Sequence, residues 1–276
     1  MSLRGQVDEL LRRLADAPAV RVRVAQVQGS GPREPDAWMA VFANALVGTI
    51  GGGRLEFDAV AHAHALLRGE PVERRRRFAL GPSIGQCCGG VVHLDFEPLA
   101  AADRDRLQAE WRQALARQMP VALFGGGHVG RAIVDLLGTL PLRTTWIDSR
   151  DQIFPAELPA NALAEHSDPV QAAVPTLAPA SRVLIMSFSH AEDLDIVAAC
   201  LKRKRERDDL PFVGLIGSKT KWATFRHRLE ARGFAPAELD AITCPIGVAG
   251  VAGKEPEVIA VAVAAQLLQH RARHPG

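Results

Sequence analysis

The stretch Val121-Ala122-Leu123-Phe124-Gly125-Gly126-Gly127-His128-Val129-Gly130 decides the fold. Four uninterrupted apolar residues read as a short buried strand. Gly125, Gly127 and Gly130 follow at G-x-G-x-x-G spacing, and a helical pattern runs on through Leu137. Glycines there permit a tight strand-to-helix turn and let a phosphate approach the helix N-terminus. The next strand, Arg143–Asp148, ends on an acid at the spacing of a ribose-binding carboxylate. Val183–Met186 and Phe212–Ile216 are further apolar runs, each followed by a helical pattern. Strand alternating with helix predicts a parallel sheet with helices on both faces, an α/β arrangement of Rossmann type.

The pattern upstream differs. Residues 6–17 repeat Val7, Leu10, Leu11 and Leu14 at helical spacing. Val20–Val27 alternates apolar and polar residues, as a half-buried strand does. Trp38–Phe42 and Ala45–Ile50 read as two short strands, a helical pattern runs through Leu55, Val60, Leu66 and Leu67, and Val91–Phe96 reads as another strand. The expectation is a small mixed α+β domain over 1–100, a linker helix over 101–118 and a Rossmann-like domain over 119–276. The apolar helix Pro256–His270 suits either domain.

Composition narrows the class. With 47% apolar and 23% charged residues, the 276-residue chain reads as an ordinary soluble globular protein. A net charge of +2 makes no demand for nucleic acid. No apolar run approaches the roughly 20 residues of a membrane span. Four cysteines are too few for a disulfide scaffold, and Met1–Gly5 lacks the apolar core of a signal peptide, so a cytoplasmic location is expected. Two basic runs, Arg74–Arg77 and Lys202–Arg205, read as solvated surface or helix ends.

Three segments of the first domain carry unusual chemistry. Ser30-Gly31-Pro32-Arg33-Glu34-Pro35 puts an arginine on a rigid turn. Gly51-Gly52-Gly53-Arg54 offers an amide nest at a helix start beside a second arginine. Gly85-Gln86-Cys87-Cys88-Gly89-Gly90 puts two adjacent thiols in a glycine turn, a poor arrangement for a disulfide or a zinc knuckle. Arginines and amides suit an anionic ligand with a phosphate, and thiolates suit a soft metal centre, so Cys87 and Cys88 are the candidate metal ligands. In the second domain His128, Asp148, Ser218 and Lys219 join the glycines as candidate ligand contacts, and His190 stands at the same sheet edge. Ser218 also reads as a helix cap. No acid–base set for hydride transfer is evident, so a nicotinamide-dependent oxidoreductase is the alternative reading and no catalytic residue is assigned.

With these blocks in their order, the chain resembles the xanthine dehydrogenase accessory protein family, XdhC/CoxI. The resemblance is carried by Pro32-Arg33-Glu34-Pro35, Gly51–Glu56, Gly85–Gly90, Gly125–Gly130, Trp146–Arg150, Gly214–Lys221 and Pro245-Ile246-Gly247. It implies a non-catalytic chaperone that holds the molybdenum cofactor (molybdopterin) while a cysteine desulfurase supplies sulfur. The chaperone then passes it to the molybdenum subunit of apo-xanthine dehydrogenase or a related hydroxylase. Implied partners are that subunit, the desulfurase and cofactor biosynthesis proteins. NAD(P) is a second cofactor candidate from the glycine loop, and a homodimer is left open. Two positions depart from the family pattern: Asp36 stands where glycine is usual, and Phe188 replaces one histidine of the loop, leaving His190.

Overall fold

In β1 (Ala19–Gln28) valine alternates with arginine, so Val20, Val22 and Val24 are buried on one sheet face and Arg21 and Arg23 lie on the other. The computed structural model describes residues 3–80 and 89–273. They form two units, Leu3–Gln113 and Ala114–Gly276, with the division inside the helix Arg104–Ala116.

The first unit holds a five-stranded antiparallel sheet. It is built from β1, β2 (Trp38–Val41), β3 (Leu46–Gly48), β4 (Arg75–Ala79) and β5 (Val91–Leu99), in the order β3-β2-β1-β5-β4. Helix α1 (Leu3–Arg13) precedes it, α2 (Gly53–Leu67) joins β3 to β4, and α3 (Arg104–Ala116) follows β5. Leu55, Ala59 and Ala63 recur every four residues along α2, and this stripe packs on Val20, Val22, Val24, Leu94 and Phe96. On the other face Leu10 and Leu14 meet Ala40, Phe42, Leu99 and Leu107. A bulge at Ala25 shifts β1 by one residue against β5, so that Val27 faces Val92 where the register of Val24 with Leu94 would have put Gln26.

The second unit is the parallel sheet that the glycine motif predicts. Its strands are β6 (Met119–Phe124), β7 (Leu142–Asp148), β8 (Ala162–His166), β9 (Arg182–Ile185), β10 (Phe212–Leu215) and β11 (Ile242–Thr243). Their order, β11-β10-β9-β6-β7-β8, is the doubly wound 3-2-1-4-5-6 order read from its far edge. Val121 and Leu123 point to a core shared with α4 (His128–Leu137) and α8 (Pro256–Arg273). Ala122 and Phe124 point to the opposite core, under α5 (His190–Arg207), α6 (Lys219–Ala231), α7 (Pro236–Leu239) and the 3-10 segment Val170–Thr176. The last helix therefore belongs to the second unit.

The two basic runs part company. Arg74–Arg77 enters an edge strand and is exposed throughout. In the other run Arg203 is buried: it pairs with Asp209 at 2.7 Å and donates to the Val174 carbonyl at 2.7 Å. Lys204 donates to the Leu210 carbonyl, and Arg205 binds Glu238 and the Gly233 carbonyl. That run ends a helix as expected; Lys202 and Arg205 are exposed, while Arg203 is buried and ties α5 to its neighbours. Among the described residues no helix is long and apolar enough to cross a membrane.

Candidate functional site

In the first unit the turn after β1, the glycine loop after β3 and the residue just before β5 meet at one end of the sheet. A Cβ on Gly51 would lie 2.6 Å from Pro32 Cβ and 3.2 Å from Arg33 Cγ, so the Pro32-Arg33 turn rests directly on the glycine loop. A Cβ on Gly90 would lie 2.2 Å from the Ser30 carbonyl oxygen, so the start of β5 presses against the turn that follows β1. The Leu80 amide donates to the Gly90 carbonyl at 2.7 Å, tying together the two flanks of the cysteine segment. Gly89 is exposed, and among the described residues nothing lies against it. Gln86, Cys87 and Cys88 lie outside the described residues, and among the described ones no cluster of three metal-ligating side chains occurs.

Charge at this end is distributed differently from the sequence expectation. Gly51, Gly52 and Gly53 all have positive φ, at 118°, 77° and 66°, a conformation that side chains resist. The amides of Gly51 and Gly52 are already occupied. Glu56 Oε2 accepts from the Ile50 and Gly52 amides at 3.1 Å each and from the Thr49 hydroxyl at 2.5 Å, and Thr49 Oγ1 accepts from the Gly51 amide. The Gly51 and Gly52 amides are thus not the phosphate donors the glycine run predicts; Glu56 uses them to set the loop. Arg33 is exposed and has no partner among the described residues. Arg54 is also exposed, pairs with Asp58 at 2.9 Å and lies over the Phe57 ring.

In the second unit the site residues gather at the carboxyl edge of the sheet, where β6 and β9 run side by side and the strand order reverses. Open α/β sheets bind ligands at this crevice. A Cβ on Gly130 would stand 2.0 Å from the Gly125 carbonyl oxygen, and one on Gly125 2.0 Å from that of Met186. Those two glycines let helix, loop and neighbouring strand pack. Gly127 faces open space and His128 begins α4 exposed to solvent.

Asp148 is not available as a ribose acceptor. It is buried, and it accepts from the Gly126 amide at 2.5 Å, the Arg150 amide at 2.9 Å and the Arg150 guanidinium at 2.8 and 2.9 Å. Burial opposes ionisation, but the Arg150 hydrogen bonds, the Gly126 amide and the Arg150 charge outweigh it and hold the carboxyl below the usual range. Asp148 locks the loop instead of reading a sugar.

A second lock lies beside it. Asp193, buried on α5, accepts from the Ser187 amide and hydroxyl at 2.8 and 2.7 Å and pairs with Lys221 at 2.6 Å. Lys221 also donates to the Ile216 carbonyl, which joins the β9 and β10 loops. Ser218 caps α6 by accepting from the Lys221 amide at 3.1 Å, and Lys219 is exposed. His190 starts α5, exposed, with its ring edge-on to Phe225. Glu192 accepts from the Phe188 amide and the Ser149 hydroxyl, and the Arg150 guanidinium lies 4.6 Å from the Phe188 ring centre. The Ser189-x-x-Glu192 spacing is the trace in the sequence that would have found Glu192, because it is the spacing of a capping box.

Comparison with known proteins agrees with this architecture. Residues 121–267 match the XdhC Rossmann domain, and residues 13–78 match the XdhC and CoxI family. The uncharacterized protein YqeB of Escherichia coli K12 is 23% identical over 95% of this chain, which spans 45% of that protein's length. A crystal structure of a xanthine dehydrogenase from Bacillus halodurans, 22% identical, superposes over 100% of this chain and 97% of its own with a TM-score of 0.76, and so shares the fold. With more than half of its length matched by the Rossmann domain and the remaining match lying in the first unit, the chain belongs to the XdhC and CoxI family.

Proposed function

We propose that this protein binds the molybdenum cofactor as cargo, shields it during sulfuration and delivers it to apo-xanthine dehydrogenase or a related molybdenum hydroxylase. Family membership supports a role in xanthine dehydrogenase maturation. One observation supports the finer reading: the Pro32-Arg33 turn rests on the glycine loop at Gly51, and Gly90, which with Leu80 flanks the cysteine segment, presses on Ser30 of the same turn. The residues suit the cargo. It is anionic, and Arg33 and Arg54 are exposed cations beside these loops. Its metal accepts sulfur, and Cys87 or Cys88 supplies a soft ligand or a persulfide carrier.

A cysteine desulfurase is the sulfur source in this reading, and the handover takes place in the cytoplasm. The exposed arginines of β4 are the docking surface for an acidic partner. An oxidoreductase using NAD(P) is the less favoured reading, because Asp148 is spent on Arg150 and the glycine loop.

The test mixes purified protein with molybdenum cofactor and measures pterin and molybdenum after gel filtration. Wild type should retain both, and the double variant C87S/C88S should lose most of the molybdenum. Equal retention by the two would exclude the cysteines as the binding feature. Calorimetry should show NAD(H) and NADP(H) binding no more tightly than adenosine monophosphate, so that the nicotinamide half adds nothing.

A further inference from the structure

Phe188 follows β9 at the switch-point crevice. It stands 66% exposed, while Phe124 and Trp146 of the neighbouring strands are buried. A single exposed apolar side chain is ordinary on a protein surface, and Phe57 is as exposed; what sets Phe188 apart is its place at the switch point and how it is held. Glu192 Oε2 accepts from its amide at 3.1 Å, Glu192 Oε1 accepts from Ser149 at 2.5 Å, and Arg150 lies against the ring at 4.6 Å. Arg150 is itself pinned by Asp148, which the Gly126 amide ties to the loop after β6. Phe188 is thus built into the lip of the crevice by a chain of contacts that starts in the glycine loop.

We propose that Phe188, backed by Arg150, is a stacking platform for a flat nitrogen heterocycle, a purine or pterin ring of a phosphate-bearing ligand. Arg150 covers one face of the ring, and the exposure of the residue leaves the other open. A guanidinium behind an aromatic ring is an arrangement that accepts flat bases without reading their edges. The platform extends the cofactor-binding reading above, on which it rests, to a contact made by the second unit itself.

The test titrates full-length protein with guanosine monophosphate, 6-hydroxymethylpterin and ribose 5-phosphate, for wild type, Phe188→Ala and Phe188→Trp. Wild type should bind at least one bicyclic probe more tightly than ribose 5-phosphate, and the tighter of the two identifies the ring. Phe188→Ala should weaken that probe by roughly 10- to 100-fold and leave ribose 5-phosphate unchanged. Phe188→Trp should restore binding. Equal affinity of Phe188→Ala and wild type, or no bicyclic binding by wild type up to about 1 mM, overturns the platform. If wild type still retains molybdenum cofactor on gel filtration, only the platform has failed; if it does not, the chaperone reading has failed as well.

Discussion

Gly130 sits where a side chain has no room, because its Cβ would lie 2.0 Å from the backbone oxygen of Gly125. Alanine would gain about 1 kcal/mol of helix propensity, but a backbone clash in a packed turn costs more. Gly130→Ala should therefore destabilise by roughly 2 kcal/mol net in urea unfolding. Gly127→Ala, in open space at φ −72°, should change stability little and serves as the control. Asp148 gives a pH signature. Its folded pKa is depressed, so its contribution is full above the unfolded value of about 3.9 and is lost as pH falls through the folded value. Urea midpoints measured from pH 7 down to pH 3 should show a shallower acid fall for Asp148→Asn than for wild type, and equal slopes would remove Asp148 from that role. Cys200 is fully buried on α5, and burial pushes its thiol up to about 12. Mass spectrometry after brief alkylation at neutral pH should find Cys200 unmodified until denaturant is added.

At the scale of elements, α5 is held by its basic run. Replacing Arg203 alone strands the Val174 carbonyl and leaves Asp209 without its cation. Arg203→Met should cost roughly 3 kcal/mol, and the double change with Asp209→Asn should recover part of that in denaturant unfolding. The legibility of the elements follows their burial. The central parallel strands β6, β9 and β10 are apolar on both faces and could be read at once. β4 could not: Arg75, Arg76 and Arg77 are exposed at the sheet edge, where no apolar alternation is required, and only Phe78 turns inward. β8 failed for the same reason, since Leu163 is exposed and no residue of the strand is fully buried. In the site, the glycine loops were legible because glycine marks backbone geometry. The roles of Glu56 and Asp148 were not, because a carboxylate that fills a nest inside the protein has the same local spelling as one awaiting a ligand.

For the whole molecule, the change from alternating strands to strand–helix repeats announced two units, and each has a core of its own. The last helix carried no such address. Its helical face is apolar or small nearly all round, so its pattern names no partner, and only the packing of Ala260, Val263, Ala264 and Leu267 with α4 and β6 assigns it to the second unit. This assignment has a consequence for autonomy. Leu107 of α3 belongs to the core under β1 and β5, so a cut after Ala116 leaves that side chain with its own unit. The fragment 117–276 keeps all six parallel strands and both covering layers. It should unfold cooperatively on heating, as seen by circular dichroism. The fragment 117–255 lacks α8 and would expose the α4 side of the sheet, so it should lose that cooperative transition. If 117–276 showed no cooperative transition, the second unit would not be independent, whereas an unchanged transition in 117–255 would remove α8 from its core.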